Sequence, residues 1–202
     1  MSAFPIRTLL ALLFAATCAA AVSAVPADAL QEAQHLYKQG QLQQALDRTD
    51  QIISGKPGDV QARFLKGLIL TEMNRHDEAI AAFSRLTEDF PELPEPYNNL
   101  AVIYAQTRQY EKAKAALEMA IRTHPGYATA YENLGDIYVR LGGQAYDKAV
   151  QLDASSATAR KKLALARELI TMSGRPEPAT AAATSGKPAP GTVPATVPGM
   201  RQ

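Results

Sequence analysis

The chain has 202 residues, of which 47% are hydrophobic, so it is long enough for one domain with a substantial core. Its formal net charge of +1 gives no electrostatic basis for binding nucleic acid or an anionic membrane surface. Alanine is abundant and runs of β-branched residues are scarce, which favours helices over strands.

The first 24 residues have the pattern of a secretory signal peptide. Arg7 supplies a positive charge, an apolar run extends from Leu9 to about Val22, and small residues up to Ala24 provide a cleavage site. The apolar run is short for a membrane span of about 20 residues, with an uncleaved N-terminal anchor as the alternative. We therefore expect export to the bacterial periplasm and no membrane span in the mature form.

The sequence offers no constellation of residues that predicts chemistry. Cys18 is the only cysteine, and cleavage would remove it together with any thiol or disulfide chemistry. The histidines His35, His76 and His124 show no metal-ligand spacing, and no glycine-rich phosphate loop is present. We expect no catalytic residue, no metal site and no cofactor.

Between about residues 26 and 160 the sequence repeats itself with a period of 34 residues. The aligned positions are Pro57, Pro91 and Pro125; Ala45, Ala79 and Ala113; Ala33, Gly67, Ala101 and Gly135; and Leu36, Leu70, Tyr104 and Tyr138. Within each copy apolar residues recur at three- and four-residue spacing with one interruption, which predicts two amphipathic helices joined by a tight turn. Small aligned residues let paired helices approach to about 8–10 Å, and the prolines end each second helix.

This pattern resembles the tetratricopeptide repeat. The third copy carries the family's signature spacing at Tyr97, Leu100, Ala101, Tyr104, Ala113, Leu117, Ala120 and Pro125. The resemblance implies an all-α fold, a right-handed α-solenoid of helix hairpins, with full repeats at about 26–59, 60–93 and 94–127 and a truncated repeat at 128–154. The family is a generic protein-binding scaffold, so the resemblance implies a protein or peptide partner without identifying it.

The fourth copy lacks five residues. When a gap of five residues is placed in the fourth copy, Tyr146 aligns with Leu117 and Ala149 aligns with Ala120. Either a short second helix follows a turn at Gly142 and Gly143, or one helix continues through them. The apolar stripe stays in phase across the glycines at Tyr131, Leu134, Tyr138, Leu141, Ala145, Ala149 and Leu152. We therefore favour one helix over about 128–152, although two glycines cost a helix roughly 2 kcal/mol relative to alanine.

Residues 156–172 predict a capping helix that begins after Ser155 or Ser156. Its narrow apolar stripe would pack against the long helix, so that the two form an antiparallel hairpin projecting beyond the repeats. A projecting apolar seam favours self-association or a partner. Residues 173–202 are rich in proline and glycine and predict a disordered tail.

By the family resemblance, the first helix of each repeat lines a concave groove. Phe64, Leu68 and Val102 would form an apolar floor. The groove asparagines would bind the backbone of an extended peptide, or else would face solvent or brace neighbouring helices. The candidate partner-binding residues are Tyr37, Lys38, Phe64, Leu68, Asn98, Asn99, Val102, Gln106, Glu132, Asp136 and Arg140, flanked by Gln34, Glu72 and Asn133. The family's carboxylate-gripping groove uses lysine and arginine where this chain has Phe64, Leu68 and Thr129, so that mode of capture is not expected.

The expected function is a non-enzymatic scaffold for protein–protein interaction in the bacterial periplasm, with a role in cell-envelope assembly or maturation. A peptide or protein partner would bind in the concave groove, and no nucleic-acid partner is expected. Two alternatives use the projecting hairpin instead. The chain would then be a self-associating structural module, a homo-oligomer, or the regulatory subunit of an envelope enzyme.

Overall fold

A computed structural model describes residues 28–173, and within this range the chain forms eight α-helices and no strand. The helices are α1 (Ala29–Lys38), α2 (Leu42–Gly55), α3 (Val60–Glu72), α4 (His76–Asp89), α5 (Pro94–Gln106), α6 (Tyr110–Thr123), α7 (Ala128–Leu152) and α8 (Ala157–Ser173). Successive helices contact each other, and the first helices of neighbouring hairpins also touch. The predicted all-α solenoid of helix hairpins is confirmed. The predicted signal peptide and tail lie outside the described residues.

In each turn within a hairpin, the residue at one aligned position adopts a left-handed backbone conformation. Gly40, Asn74 and Arg108 have φ values of 72°, 58° and 60° and are 34 residues apart. Each of these residues lies two positions before the start of a second helix. The second helices end two residues before Pro57, Pro91 and Pro125, as the proline positions predict.

The core lies between paired helices and is built on the small aligned residues. Ala33, Ala101 and the aligned alanines of the second helices, Ala45, Ala79 and Ala113, are buried. Gly67 permits the closest approach, because a Cβ atom at this position would lie 2.5 Å from the ring of Phe83. The predicted reason for small residues in these positions is therefore confirmed: a larger side chain would occupy the space of the facing helix.

The fourth repeat contains one continuous helix. Helix α7 runs for 25 residues through Gly142 and Gly143, so the predicted long helix is confirmed and a turn at the glycines is excluded. Its rise corresponds to a length of about 37 Å. A Cβ atom at Gly143 would lie 3.6 Å from Ile170 Cδ1 and 3.7 Å from Ala166 Cβ, which places this glycine against α8.

Helix α8 packs antiparallel along α7 and contacts no other helix of residues 28–173. Ser156 caps its start, because its Oγ accepts a hydrogen bond from the Ala159 N–H at 3.3 Å. Leu163 and Ala166 are buried against α7, while Arg167 pairs with Asp147 of α7 at 3.1 Å on the surface. The predicted antiparallel hairpin with a narrow apolar seam is confirmed.

Candidate partner-binding groove

The first helices of the repeats form a continuous surface, which we call the first-helix wall. Helix α3 contacts α1 and α5, and α5 contacts α7. Because the repeat length is 34 residues, equivalent side chains of successive repeats lie in rows across this wall. One such cross-repeat contact is the hydrogen bond that Asn133 Nδ2 donates to Asn98 Oδ1 at 2.8 Å. The fold therefore brings predicted groove residues of different repeats together.

The predicted apolar floor is wrong for two of its three residues. Phe64 and Leu68 are only 7% and 4% exposed and belong to the core. The ring of Phe64 packs edge-on against Phe83 of α4, with 5.5 Å between the ring centroids. Phe83 belongs to the same repeat as Phe64, and little of either Phe64 or Leu68 is available to a partner. Val102 is half-buried.

The asparagines mainly stabilise the wall itself. Asn98 is buried and accepts the hydrogen bond from Asn133, so these two residues brace α5 against α7. The amide of Asn99 donates to the Glu95 carbonyl oxygen of its own helix at 2.9 Å. Of the two roles considered for these side chains, bracing is the one that the structure shows for Asn98 and Asn133.

The accessible part of the wall is a row of polar residues at the C-terminal ends of α1, α3 and α5 and at the aligned position of α7. This end row consists of Lys38, Glu72, Gln106 and Arg140, each 34 residues from the next. The first three are exposed, and Arg140 is half-buried with its guanidinium carbon 6.0 Å from the ring centroid of Tyr110. The row therefore presents a cation, an anion, an amide and a second cation to an approaching chain.

Other predicted residues surround the end row. Burial raises the pKa of the Tyr37 phenol well above its usual range, and a hydrogen bond with Glu72 and the charge of that carboxylate add to the shift. Tyr37 thus links α1 to α3 beside the row. Glu132 is exposed and Asp136 half-buried, and both make further interactions within the protein. Gln34 is half-buried on α1.

Comparison with known proteins decides the family. Two tetratricopeptide-repeat models match residues 30–94 and 70–134, which together make up just over half of the chain. The chain belongs to the tetratricopeptide-repeat family. Proteins of this TPR family generally act as non-enzymatic scaffolds, and the chain is accordingly a scaffold for protein–protein interaction.

Curated relatives are similar over part of their length. The tetratricopeptide repeat domain-containing protein PYG7, chloroplastic, of Arabidopsis thaliana is 33% identical over 86 residues, which are 40% of this chain and 29% of the relative. The small glutamine-rich tetratricopeptide repeat-containing protein 2 of Mycosarcoma maydis is 28% identical over 113 residues, 54% of this chain and 32% of the relative. The TPR protein described here thus spans about a third or less of these relatives.

Solved structures of other TPR proteins share the fold. The thermophilic TPR protein TTC0263 of Thermus thermophilus matches with a TM-score of 0.54 and 24% identity over 73% of this chain and 82% of its own. A structure of MamA from Desulfovibrio magneticus RS-1 matches with a TM-score of 0.51 and 20% identity over 73% and 76%. At these identities the similarity establishes the TPR solenoid and nothing more specific.

The sequence predicted that the α7–α8 hairpin of this TPR protein projects as a binding surface, but it did not predict the crevice on that hairpin. A crevice of about 380 Å³ lies between Tyr138, Gly142 and Tyr146 of α7 and Leu165 and Leu169 of α8. The α8 wall was missed because only the buried stripe through Leu163 and Ala166 was considered. The α8 wall is indicated in the sequence by a second apolar stripe at Leu165, Leu169 and Met172, which are spaced four and three residues apart.

Among residues 28–173, no three His, Cys, Asp or Glu side chains lie close enough together to hold a metal ion. Nor does any helix in this range combine the length and apolar character needed to cross a bilayer.

Proposed function

We propose that this TPR protein works in the bacterial periplasm, in assembly or maturation of the cell envelope, and catalyses no reaction itself. Its partner would bind as an extended segment laid across the first-helix wall. The observation that carries the proposal is the end row, since Lys38, Glu72 and Gln106 are the exposed groups repeated on adjacent helices. The predicted signal peptide at residues 1–24 supports the location.

The spacing of the row indicates the kind of segment that fits. Packed helices lie about 8–10 Å apart, and an extended chain advances about 3.3 Å per residue, so every third residue of a ligand would reach the next member. Lys38 and Arg140 favour acidic groups and Glu72 a basic group. The preferred ligand therefore has the order acidic, basic, polar, acidic at every third position. Exposed ion pairs contribute roughly 0–1 kcal/mol each, so the row would set specificity and register more than affinity.

Binding of synthetic peptides with this charge pattern tests the groove. Fluorescence anisotropy should show binding to the wild-type chain and loss of most of it for the double variant Lys38→Glu, Gln106→Ala. The matched control is Arg122→Glu, Gln44→Ala, which makes the same kinds of change at exposed positions of the second helices α6 and α2. Equal binding by all three chains, or by a peptide of scrambled charge order, would show that the end row is not the site. Phe64→Glu is unsuitable, because a buried carboxylate would destabilise the fold.

Export is tested separately. Residues 1–30 fused to alkaline phosphatase, an enzyme that becomes active only outside the cytoplasm, should give active phosphatase in bacteria. The purified full chain should begin after Ala24 or close to it. A cytoplasmic product that retains Met1 would contradict the proposed location and leave the groove proposal standing.

A second candidate function is self-association through the α7–α8 hairpin. One observation favours it over docking of a partner enzyme on the same hairpin. In the described part of the chain, every large hydrophobic residue that is about half or more exposed lies on α7 or α8. These residues are Tyr131, Tyr138, Leu152, Leu165, Leu169 and Met172. Concentration-dependent sedimentation of the full chain tests this candidate, and a monomer at all concentrations would exclude it.

A further inference from the structure

Helix α7 combines both helices of a repeat in one. Residues 128–140 align with α5 at a shift of 34, and residues 139–152 align with α6 at a shift of 29. At the shorter shift, Ala157 at the start of α8 aligns with Ala128 at the start of α7. The five missing residues therefore correspond to the turn of the hairpin, while the packing faces of both helices are retained.

The first half of α7 has an uncovered packing face. In the second repeat the equivalent face is closed by a second helix, since Gly67 receives the ring of Phe83. Gly135, which aligns with Gly67, is exposed, and a Cβ atom there would have no neighbouring atom of the described residues within 4 Å. Tyr138 is 51% exposed where the aligned Leu70 is 1% exposed. The position that a second helix occupies in the other repeats is thus open.

The second half of α7 has the complementary uncovered face. In the second helices of the three full repeats, the residues of this face are only 0–3% exposed. These residues are Ala45, Thr49, Ile52, Ala79, Phe83, Leu86, Ala113, Leu117 and Ala120. At the shift of 29 these positions correspond to Gly142, Tyr146 and Ala149. The first two are half-buried and Ala149 is exposed. This segment therefore carries the face of a second helix without a first helix beneath it.

We infer that a second copy of this chain supplies what each α7 lacks. Two α7 helices pack antiparallel about a two-fold axis near Arg140 and Leu141, so that the second half of each closes the first half of the other. Loss of the turn converts a contact within one chain into the same contact between two chains, as in domain swapping. The inference rests on the second function proposed above, self-association, and defines its interface.

The pairing is self-complementary in shape. In this register Tyr146 of one copy lies over Gly135 of the other, as Phe83 lies over Gly67. Tyr138 aligns with Tyr104, whose ring centroid is 5.5 Å from Lys112 Nζ, and would meet Leu141 and Gly142 of the other copy. Each helix thus presents the rings of Tyr138 and Tyr146 and the glycines Gly135 and Gly142. In the antiparallel pair, each ring of one copy faces a glycine of the other.

The crevice and the composition of the stripe fit the same occupant. The 380 Å³ space beside Gly142 would receive Tyr138 of the second copy, with Leu165 and Leu169 as its outer wall. Aromatic anchors in such pockets account for much of the binding energy of interfaces. The stripe formed by Gly135, Tyr138, Gly142, Tyr146 and Ala149 contains no charged residue. Pairing therefore desolvates no ionised group of the stripe itself. Lys162 of α8 also lines the crevice, with its Nζ 5.6 Å from the Tyr146 ring centroid.

Sedimentation velocity of the full chain is the first test. The wild-type chain should form a dimer, and Gly135→Leu should raise the dimer dissociation constant by roughly tenfold or more, because the side chain fills the space that Tyr146 needs. The variant should fold, because this position is open in the monomer and leucine favours a helix over glycine. The matched control Gly58→Leu, also at an open position, should leave the dimer unchanged. An unchanged dimer in Gly135→Leu would overturn the proposed interface.

Restoring the missing turn tests the origin of the pairing. Insertion of a copy of residues 107–111 after Arg140 returns the fourth repeat to full length and should give a monomer, because each chain can close its own hairpin. A dimer that persists in this variant would contradict the swap. The groove variant Lys38→Glu, Gln106→Ala should still dimerise, so failure of the groove proposal and failure of this one are distinguishable.

Cysteine cross-linking tests the register. In a Cys18→Ser background the chain has no other cysteine. The pair Gly135→Cys, Tyr146→Cys should form a covalent dimer on oxidation, since these positions are about 16 Å apart within one helix and cannot bond to each other there. The control pair Gly135→Cys, Gln144→Cys should cross-link poorly, because Gln144 lies on another side of α7. Equal cross-linking of both pairs would refute the register.

Discussion

At the scale of single residues, the neighbours across a helix pair decide what each aligned position can hold. The small positions of the three full repeats are buried because the facing helix of the pair covers them, as at Ala101 and Ala113. Phe64 and Leu68 were predicted to face a partner, but Phe64 packs against Phe83 and both residues are buried. The repeat pattern indicates which positions are equivalent. It does not indicate how far the facing side chain extends.

Gly67 and Gly135 provide a matched pair for testing this dependence on neighbours. Gly67→Ala should lower the free energy of unfolding by about 1–3 kcal/mol from overpacking, offset in part by about 1 kcal/mol of helix propensity. Gly135→Ala, at the open position of the same column, should not destabilise the chain at protein concentrations below the dissociation constant of the proposed dimer. Urea unfolding followed by circular dichroism measures both. Equal effects of the two substitutions would mean that Phe83 moves away from Gly67 without cost.

At the scale of elements, the fourth repeat shows that helical phase outweighs local turn signals. Gly142 aligns with Gly40, Asn74 and Arg108, which adopt left-handed turn conformations, yet it lies within α7. The apolar stripe that stays in phase across the glycines predicted this outcome correctly. The physical reason is length: without the five turn residues, the helix-forming segments on both sides join directly.

Gly143→Ala tests the continuity of α7. In a continuous helix the substitution should raise the free energy of unfolding by about 1 kcal/mol, because alanine favours the helix and its Cβ makes only ordinary contacts with Ala166 and Ile170. Gly143→Leu should instead destabilise the hairpin by crowding α8. Thermal unfolding measures both effects. Destabilisation by alanine would indicate a turn at this position, where an added Cβ atom is unfavourable.

At the scale of the whole molecule, stability is expected to increase from the C-terminal hairpin towards the central repeats. Solenoid stability is approximately a sum over neighbouring elements, and α8 has only α7 as a helical neighbour among the described residues. Helices α3 to α6 each pack against elements on both sides. The hairpin is therefore expected to be the least stable element, and it also carries the exposed large hydrophobic residues of the described chain, so a second copy would stabilise the chain most there.

Amide hydrogen exchange tests this gradient. Amides of α8 should exchange fastest and those of α3 to α6 slowest, because α8 can detach without disturbing the remaining helix pairs. Raising the protein concentration should slow exchange in α7 selectively if the dimer forms, and Gly135→Leu should abolish that concentration dependence. Uniform protection across all eight helices would show that the solenoid opens as a single unit.

The sequence by itself determined the helix hairpins, the repeat boundaries, the buried small positions and the long α7, because these features depend on periodicity and local sterics. The tertiary structure alone decided which wall residues remain accessible. It buried Phe64 and Leu68, and it used Asn98 and Asn133 to brace two helices. It left Lys38, Glu72 and Gln106 of the end row exposed. It also revealed the open face beside Gly135, because a missing neighbour is a property of packing between helices and leaves no mark on the periodicity of either one.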